Sequence, residues 1–230
     1  MNIEEMHIMF RELGQTMGLQ TTRAIFSEDI DIYLNYAADL KARSILRENV
    51  GMGFTDKVVR DNTKISPLNS LYTLYRKGII ADNQINGKGV KHNPFTASID
   101  SSNIYFYTAF SCQYDDNDIA QCRIIEQEEL YNTLDDWSNR PSRHYPIVSI
   151  NGDENNLHLD IYVGTKETNN VLTNIRYNYI AKPATMFYDE ESNINNVNCD
   201  LPEHLHKDIV VDAINYYIKS LSNRRGTIDN

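Results

Sequence analysis

The sequence predicts an α+β chain, with N-terminal and C-terminal helices forming a helical layer and a central antiparallel β-sheet or sandwich inserted between them. Two observations carry this. Apolar residues recur at helical spacing at both ends of the chain, whereas the middle is built from short runs of aromatic and β-branched residues separated by Gly, Asn and Asp. A third sets the scale: 230 residues with 41% hydrophobic content suffice to bury a full core. The expected division is residues 1–70 as an N-terminal helical layer, 71–198 as a β-rich domain, and 199–230 as a C-terminal helix packing on the N-terminal helices and ending in a docking tail.

The first helix opens at Asn2, whose spacing to Glu5 fits a capping box, and Met6, Met9, Phe10, Leu13 and Met17 keep one face apolar as far as Gly18. Ser27 is expected to cap a second helix starting at Glu28-Asp29. Its stripe is Ile30, Leu34, Ala37, Ala38, Lys41 and Ile45, with Gly51 and Gly53 beyond it. Strands are predicted over Leu71–Tyr75, Ser98–Asp100, Ile104–Phe110 and Gln121–Ile125. A short helical or turn segment follows around Trp137 and stops at Asn139-Arg140-Pro141. Strands resume over Tyr145–Ile150, Leu157–Val163 and Leu172–Ile180, with an Asn151-Gly152 turn signal between the first two. Asp189 to Asn198 is polar enough for a mobile loop. The last helix starts at Asp200 and runs to about Ser222. Asp200 or Leu201 serves as its cap, Pro202 sits where a missing N–H costs nothing, and Glu203 favours the positive helix end. Leu205, Ile209, Val210, Ala213, Ile214, Tyr217, Ile218 and Leu221 form its apolar face.

Charge and cysteine usage narrow the function classes. The 22 Lys+Arg against 32 Asp+Glu leave a formal charge of -10, which argues against tight wrapping of nucleic acid. The N-terminus has neither the basic nor the apolar region of a secretion signal and no stretch nears twenty apolar residues, so a soluble chain made without export is expected, with no membrane partner. Cys112, Cys122 and Cys199 have no metal-type spacing and are read as free thiols in a reducing compartment.

No motif organises catalysis. Asn86-Gly87-Lys88-Gly89 lacks the spacing and the Lys-Ser or Lys-Thr end of a phosphate-binding loop and reads as a hairpin tip. Asp115-Asp116-Asn117-Asp118 lacks the turn glycine and alternating ligands of a calcium loop and reads as a solvated turn. His204 and His206 are two apart on a helix and cannot share a face; with His7, His92, His144 and His158 scattered, the histidines read as ordinary surface residues. No catalytic residue, metal or cofactor is therefore expected, and the chain reads as a non-enzyme. The fifteen tyrosines fit core and interface positions, with Tyr105, Tyr107 and Ala109 on one strand face and Tyr177 and Tyr179 on another.

Three stretches carry a family resemblance. Ile3–Phe10 together with Phe26–Ala37, then Ile175–Pro183 ending in Lys-Pro, and finally Asp200–Val210 are similar, in that order, to elements of the head-to-tail connector proteins of short-tailed bacteriophages, above all the adaptor ring proteins of crAss-like phages and the tail tubular protein A group. Residues 49–69, including Asp56–Asp61, match no element of that group.

The resemblance implies a structural virion subunit at the portal–tail junction, assembled in the host cytoplasm as a homo-oligomeric ring, typically of twelve copies. Its partners would be the phage portal protein and a downstream tail or ring protein, with DNA passing through the lumen during ejection without specific binding. An acidic subunit suits such a conduit, since carboxylates do not neutralise phosphate. The tail, Asn223–Asn230, is the candidate portal contact: Arg224 and Arg225 supply charge, Gly226 freedom, and Thr227 and Ile228 the remaining contact, Ile228 as its apolar anchor. Two other readings stay open. A β-sandwich virion module recognising a glycan or receptor would need a binding groove, and a small hydrolase or nuclease would need carboxylates or histidines gathered only by the fold.

Overall fold

The computed structural model describes residues 1–17, 25–50, 67–153, 156–164, 171–190 and 194–226, with the backbone alone at 48–50, 67–70 and 222–226. The chain is α+β, with four helices and two four-stranded sheets among these residues. It divides into two compact units, Met1–Leu74 with Lys182–Asn230, and Tyr75–Ala181. The boundary after Ala181 falls earlier than 198, because the segment after β8 pairs its backbone with helix side chains instead of with strands.

In the helical unit, α1 (Ile3–Thr16) is started by the capping box foreseen at Asn2: Asn2 Oδ1 accepts from the Glu5 N–H at 2.7 Å, and Glu5 Oε2 accepts from the Asn2 N–H at 2.9 Å. Its buried face is Ile3, Met6, His7, Phe10 and Gly14, turned about 60° from the predicted stripe, and Met17, at the C-cap, is exposed. Helix α2 (Ser27–Val50) begins with the Ile30 N–H bonded to the Phe26 carbonyl, placing Ser27 inside the helix instead of at its cap. Ile30, Leu34, Ala37, Ala38 and Ile45 are buried as expected, joined by Asp31 and Ala42.

Helix α4 (Glu203–Gly226) buries Leu205, Ile209, Val210, Ala213 and Ile214, and each of the larger side chains contributes roughly 1.5–3 kcal/mol by leaving water. It runs antiparallel to α2: Tyr36 meets Tyr216 at 5.1 Å, the Tyr33 hydroxyl donates to Ser220 Oγ at 2.8 Å, and Lys41 reaches Asp208 at 3.2 Å. It runs parallel to α1, with Phe10 against Tyr217 at 6.0 Å and the N-terminal ammonium 2.8 Å from Glu203. Residues 223–226, read from sequence as tail, continue this helix.

The second unit is a sandwich. One sheet has strand order β1-β8-β3-β4 and the other β2-β7-β6-β5, with β1 Tyr75–Ala81, β2 Phe95–Asp100, β3 Ile104–Tyr114, β4 Ile119–Gln121, β5 Arg123–Ile125, β6 Ile147–Gly152, β7 Asn156–Tyr162 and β8 Leu172–Ala181. Both sheets supply the core: Ile80, Phe110, Cys112 and Ile175 from the first pack with Phe95, Val148, Leu159 and Ile161 from the second. All pairings are antiparallel except β5 with β6, where α3 (Gln127–Asp135) crosses between the two strands and returns the chain in the same direction. Leu130 and Leu134 of α3 pack on Ile147 and Tyr162, covering part of the second sheet's outer face.

Two predicted features move. Leu71–Leu74 is not a strand but part of two short 3-10 turns within Pro67–Leu74 that meet at a kink at Leu71, and Leu71 and Leu74 are both buried. The predicted hairpin tip at Asn86–Gly89 is the neck of a loop whose tip is Lys91-His92, closed by reciprocal bonds between Val90 and Asn93. Gly87 and Gly89 take φ of +105° and +71° there, and a Cβ on Gly89 would lie 2.4 Å from the Phe95 ring.

Candidate docking surfaces and a polar recess

The helical unit is organised around a clamp built by two side chains one turn apart on α2. Asn35 brackets the backbone of Met186, with its Oδ1 accepting the Met186 N–H at 2.7 Å and its Nδ2 donating to the Met186 carbonyl at 2.8 Å. Asp31, 6% exposed, accepts the Tyr188 N–H at 3.0 Å through Oδ2 and bonds His7 Nε2 at 2.8 Å through Oδ1. Two helix side chains thereby satisfy an extended segment that has no sheet to pair with.

That segment folds back on itself. Phe187 and Val197 exchange backbone hydrogen bonds of 3.2 and 2.9 Å, the Asp189 N–H reaches Asn196 Oδ1 at 2.8 Å, and the Ala184 N–H reaches Asp200 Oδ1 at 3.1 Å. Arg11 of α1 adds an ion pair to Glu190 at 2.5 Å. The polar stretch read as a mobile loop is thus tied at its base, while Phe187, Ile194 and Val197 remain exposed, Ile194 at 83%. On the helices, Ile32 and Tyr36 share an outward face of α2, 63% and 52% exposed, and Ile8 of α1 and Val211 of α4 also face solvent.

Two histidines read as surface residues are buried. His7 is 1% exposed, its ring 4.7 Å from Tyr188 and bonded to Asp31; His206 is 4% exposed and its Nε2 donates to the Leu201 carbonyl at 2.7 Å. Each ring has one nitrogen satisfied, while Nδ1 of both is buried without a hydrogen-bond partner, so their burial carries a desolvation cost. No local pattern marks Asp31 or His7 as buried: His7 is 24 residues from Asp31 and Tyr188 is 157 residues away.

In the sandwich, the Asp115–Asp118 turn is held by Arg143, which pairs with Asp116 and lies 4.0 Å from Asp118 through Nε. The tyrosines assemble around the core end of the first sheet. Tyr107 stacks on Phe110 at 5.6 Å, Phe110 on Tyr177 at 6.5 Å, and Tyr177 on Tyr179 at 5.6 Å. Bulges in β3 put Tyr107 opposite Tyr179 and so on their face, breaking the simple alternation expected through Tyr105 and Ala109. Burial, together with the phenols of Tyr177 and Tyr179 and the Asp100 carboxylate, pushes the Tyr107 phenol up to about 12. The Tyr177 ring lies across Gly78 of the neighbouring strand, where any Cβ would come within 2.0 Å of it.

The outer face of β2 and β7 beside the loop neck forms a recess of about 330 Å³, lined by Gln84, Asn86, Thr96, Ser98, His158 and Asp160. It offers amides, hydroxyls, an imidazole and a carboxylate, and no cationic side chain. Burial pushes the Asp160 carboxyl above its usual range, against the pull of His158 and of the Asn151 amide 3.2 Å away. His158 itself bonds Asp153 at 2.9 Å.

Among the described residues no three His, Cys, Asp or Glu side chains gather as a metal site, and no helix is long and apolar enough to cross a membrane. Of the sequence-nominated contact residues, Arg224 and Arg225 have their backbone in the last turns of α4, whereas their side chains, and Thr227 and Ile228 entirely, lie outside the described residues. So does most of the unmatched stretch 49–69. No protein-family model matches the chain, and no curated protein matches it at a significant level.

Proposed function

We propose that the chain is a structural subunit of an adaptor ring that joins a phage portal to the tail and lines the DNA ejection conduit, without enzymatic activity. The observation that carries the reading is the surface of the helical unit. Asp31 and Asn35 tie its interior by long-range bonds, yet Ile8, Phe26, Ile32, Tyr36 and Ile194 stand in solvent on a chain with a net charge of -10. Large apolar side chains exposed on more than one helix mark surfaces that become covered on assembly. A cyclic ring repeats one heterologous contact around its axis, which suits a subunit with apolar residues on more than one helix. The acidic balance leaves passing DNA unbound.

The test is the light-scattering mass of the purified full chain, alone and mixed with the portal ring of the same virus. Portal-dependent gain of a ring's worth of copies, typically twelve in the group the sequence resembles, supports the proposal; no association in either condition removes it.

The recess on β2 and β7 favours a second reading, a virion module that recognises a glycan or receptor through neutral polar groups. Perturbation of the Thr96, Ser98 and His158 resonances by a saccharide panel supports it, and an unperturbed spectrum removes it.

A further inference from the structure

We infer that Cys112 and Cys122 form a site of reversible disulfide modification that staples the end of β4 to the middle of β3. Their sulfurs lie 3.4 Å apart inside the sandwich core, with Cys112 fully buried and Cys122 7% exposed. A disulfide needs about 2.05 Å, so the sulfurs must close by a little over an ångström.

The place in the fold explains both the approach and the room to close it. Cys112 lies mid-strand in β3, directly opposite Ala120 of β4, and is fixed by the ladder on both sides. Cys122 follows β4 and is the last residue in its register, opposite Phe110, with its N–H on the Phe110 carbonyl at 2.9 Å; the next N–H, of Arg123, turns to the Pro146 carbonyl at 2.8 Å as the chain leaves for β5. Within a regular antiparallel ladder Cys112 and Cys122 are diagonal neighbours on one face, roughly 7–8 Å apart at Cα, at the outer limit of what a disulfide spans. Cys122 sits at the end of that ladder, where the backbone can give, and its sulfur already meets that of Cys112 at 3.4 Å. β4 has only three residues and lies at a sheet edge, so opening it exposes Cys122 without unfolding the sandwich.

The chemistry balances with a small-molecule disulfide as oxidant. The Cys122 thiol loses its proton to water and its thiolate attacks one sulfur of the oxidant, releasing one small thiol and leaving a mixed disulfide on Cys122. The Cys112 thiolate then attacks the Cys122 sulfur, closing the protein bond and expelling the second small thiol. The protein loses two hydrogens and the oxidant gains them. Burial of the Cys112 thiol and its contact with Cys122 disfavour its thiolate, so the pair stays reduced while β4 is closed and oxidises slowly as it opens. The product ties the end of β4 to the middle of β3, next to the point where the chain passes to the second sheet.

The test uses the full chain carrying Cys199→Ser, which removes the third thiol, incubated folded with oxidised glutathione. The expected result is loss of two hydrogens in the intact mass, a Cys112–Cys122 cross-linked peptide, reversal by dithiothreitol, and a melting temperature raised by ~5–10 °C. A Cys122→Ser variant, if it folds, should show none of these. Unchanged mass, a glutathione adduct that never resolves, or a bond formed only in denaturant would each overturn the inference.

Discussion

Replacing Asp31 with Ala tests the clamp directly. The carboxylate is buried and accepts from two groups that share its environment, His7 Nε2 at 2.8 Å and the Tyr188 N–H at 3.0 Å. Truncation leaves both donors without a partner, and an orphaned buried donor costs about 1–3 kcal/mol, so the loss should be roughly 2–5 kcal/mol. That is a large fraction of the roughly 5–15 kcal/mol that holds a domain folded. Urea denaturation reads the total, and hydrogen exchange at the Tyr188 and Met186 amides reads where it falls. Both amides should lose protection while β3 and β8 keep theirs. The paired change His7→Phe with Asp31→Leu should cost less than the two single changes together, because it removes one donor along with the acceptor. A stability within ~0.5 kcal/mol of the parent, with Tyr188 protection unchanged, would refute the clamp.

Gly78→Val places side-chain atoms where the Tyr177 ring lies and should cost ~1–3 kcal/mol by thermal melting, and combined with Tyr177→Ala it should cost less than the sum of the two single changes; full additivity would remove the assigned clash. Asp160→Asn should raise the melting temperature at pH 7. The folded carboxyl titrates above its unfolded value, so its ionisation destabilises above that folded pKa, and the advantage of Asn should fade as the pH falls through it and vanish below the unfolded pKa near 4; a pH-independent gain would remove the cause assigned. On the adaptor-ring proposal, Ile32→Asp should leave the monomer melt within about 0.5 kcal/mol of the parent, since its side chain is exposed, and weaken portal-dependent assembly in light scattering. Deleting residues 224–230, which removes Arg224, Arg225, Thr227 and Ile228, should weaken portal attachment in co-sedimentation without shifting the melt.

Local rules carried the helices further than the buried polar groups. Asn2 and Glu5 are three apart, so the capping box could be read from sequence, and the apolar face of α4 follows from spacing alone. Asp31 could not be read this way. It looks like one of 32 acidic residues until the chain brings Tyr188, 157 positions away, against it. His206 bonds a carbonyl only five residues back, yet that bond depends on how residues 201–206 turn into α4. The Leu71–Leu74 error has a different source: Leu-Tyr-Thr-Leu-Tyr satisfies a strand's composition, whereas the two buried leucines are spaced three apart, which a strand's alternation does not place on one face. The parallel β5–β6 pair followed from α3 lying between two strands, a crossover that composition alone does not distinguish from a hairpin.

The insertion of the sandwich into the helical unit has a physical economy that explains why both halves can be well ordered on one chain. Tyr75, where the chain enters β1, pairs with Ile180 of β8, one residue before the chain leaves. The two ends of the sandwich are therefore neighbours on adjacent hydrogen-bonded strands. Folding of the sandwich brings together residues otherwise joined by a long contour, and the loop-closure cost is met inside the β unit by the β1–β8 ladder. What remains for the helical unit is to seat the described residues between Lys182 and Asp200, whose backbone is only partly satisfied by the Phe187–Val197 exchange. Asp31 and Asn35 supply further partners from α2 at Met186 and Tyr188, and the Ala184 N–H on Asp200 Oδ1 ties the start of that stretch to the approach to α4. The clamp thus links exit from one unit to completion of the other: disrupting it should loosen α4 against α1 and α2 while leaving the sandwich intact, since each unit has its own core.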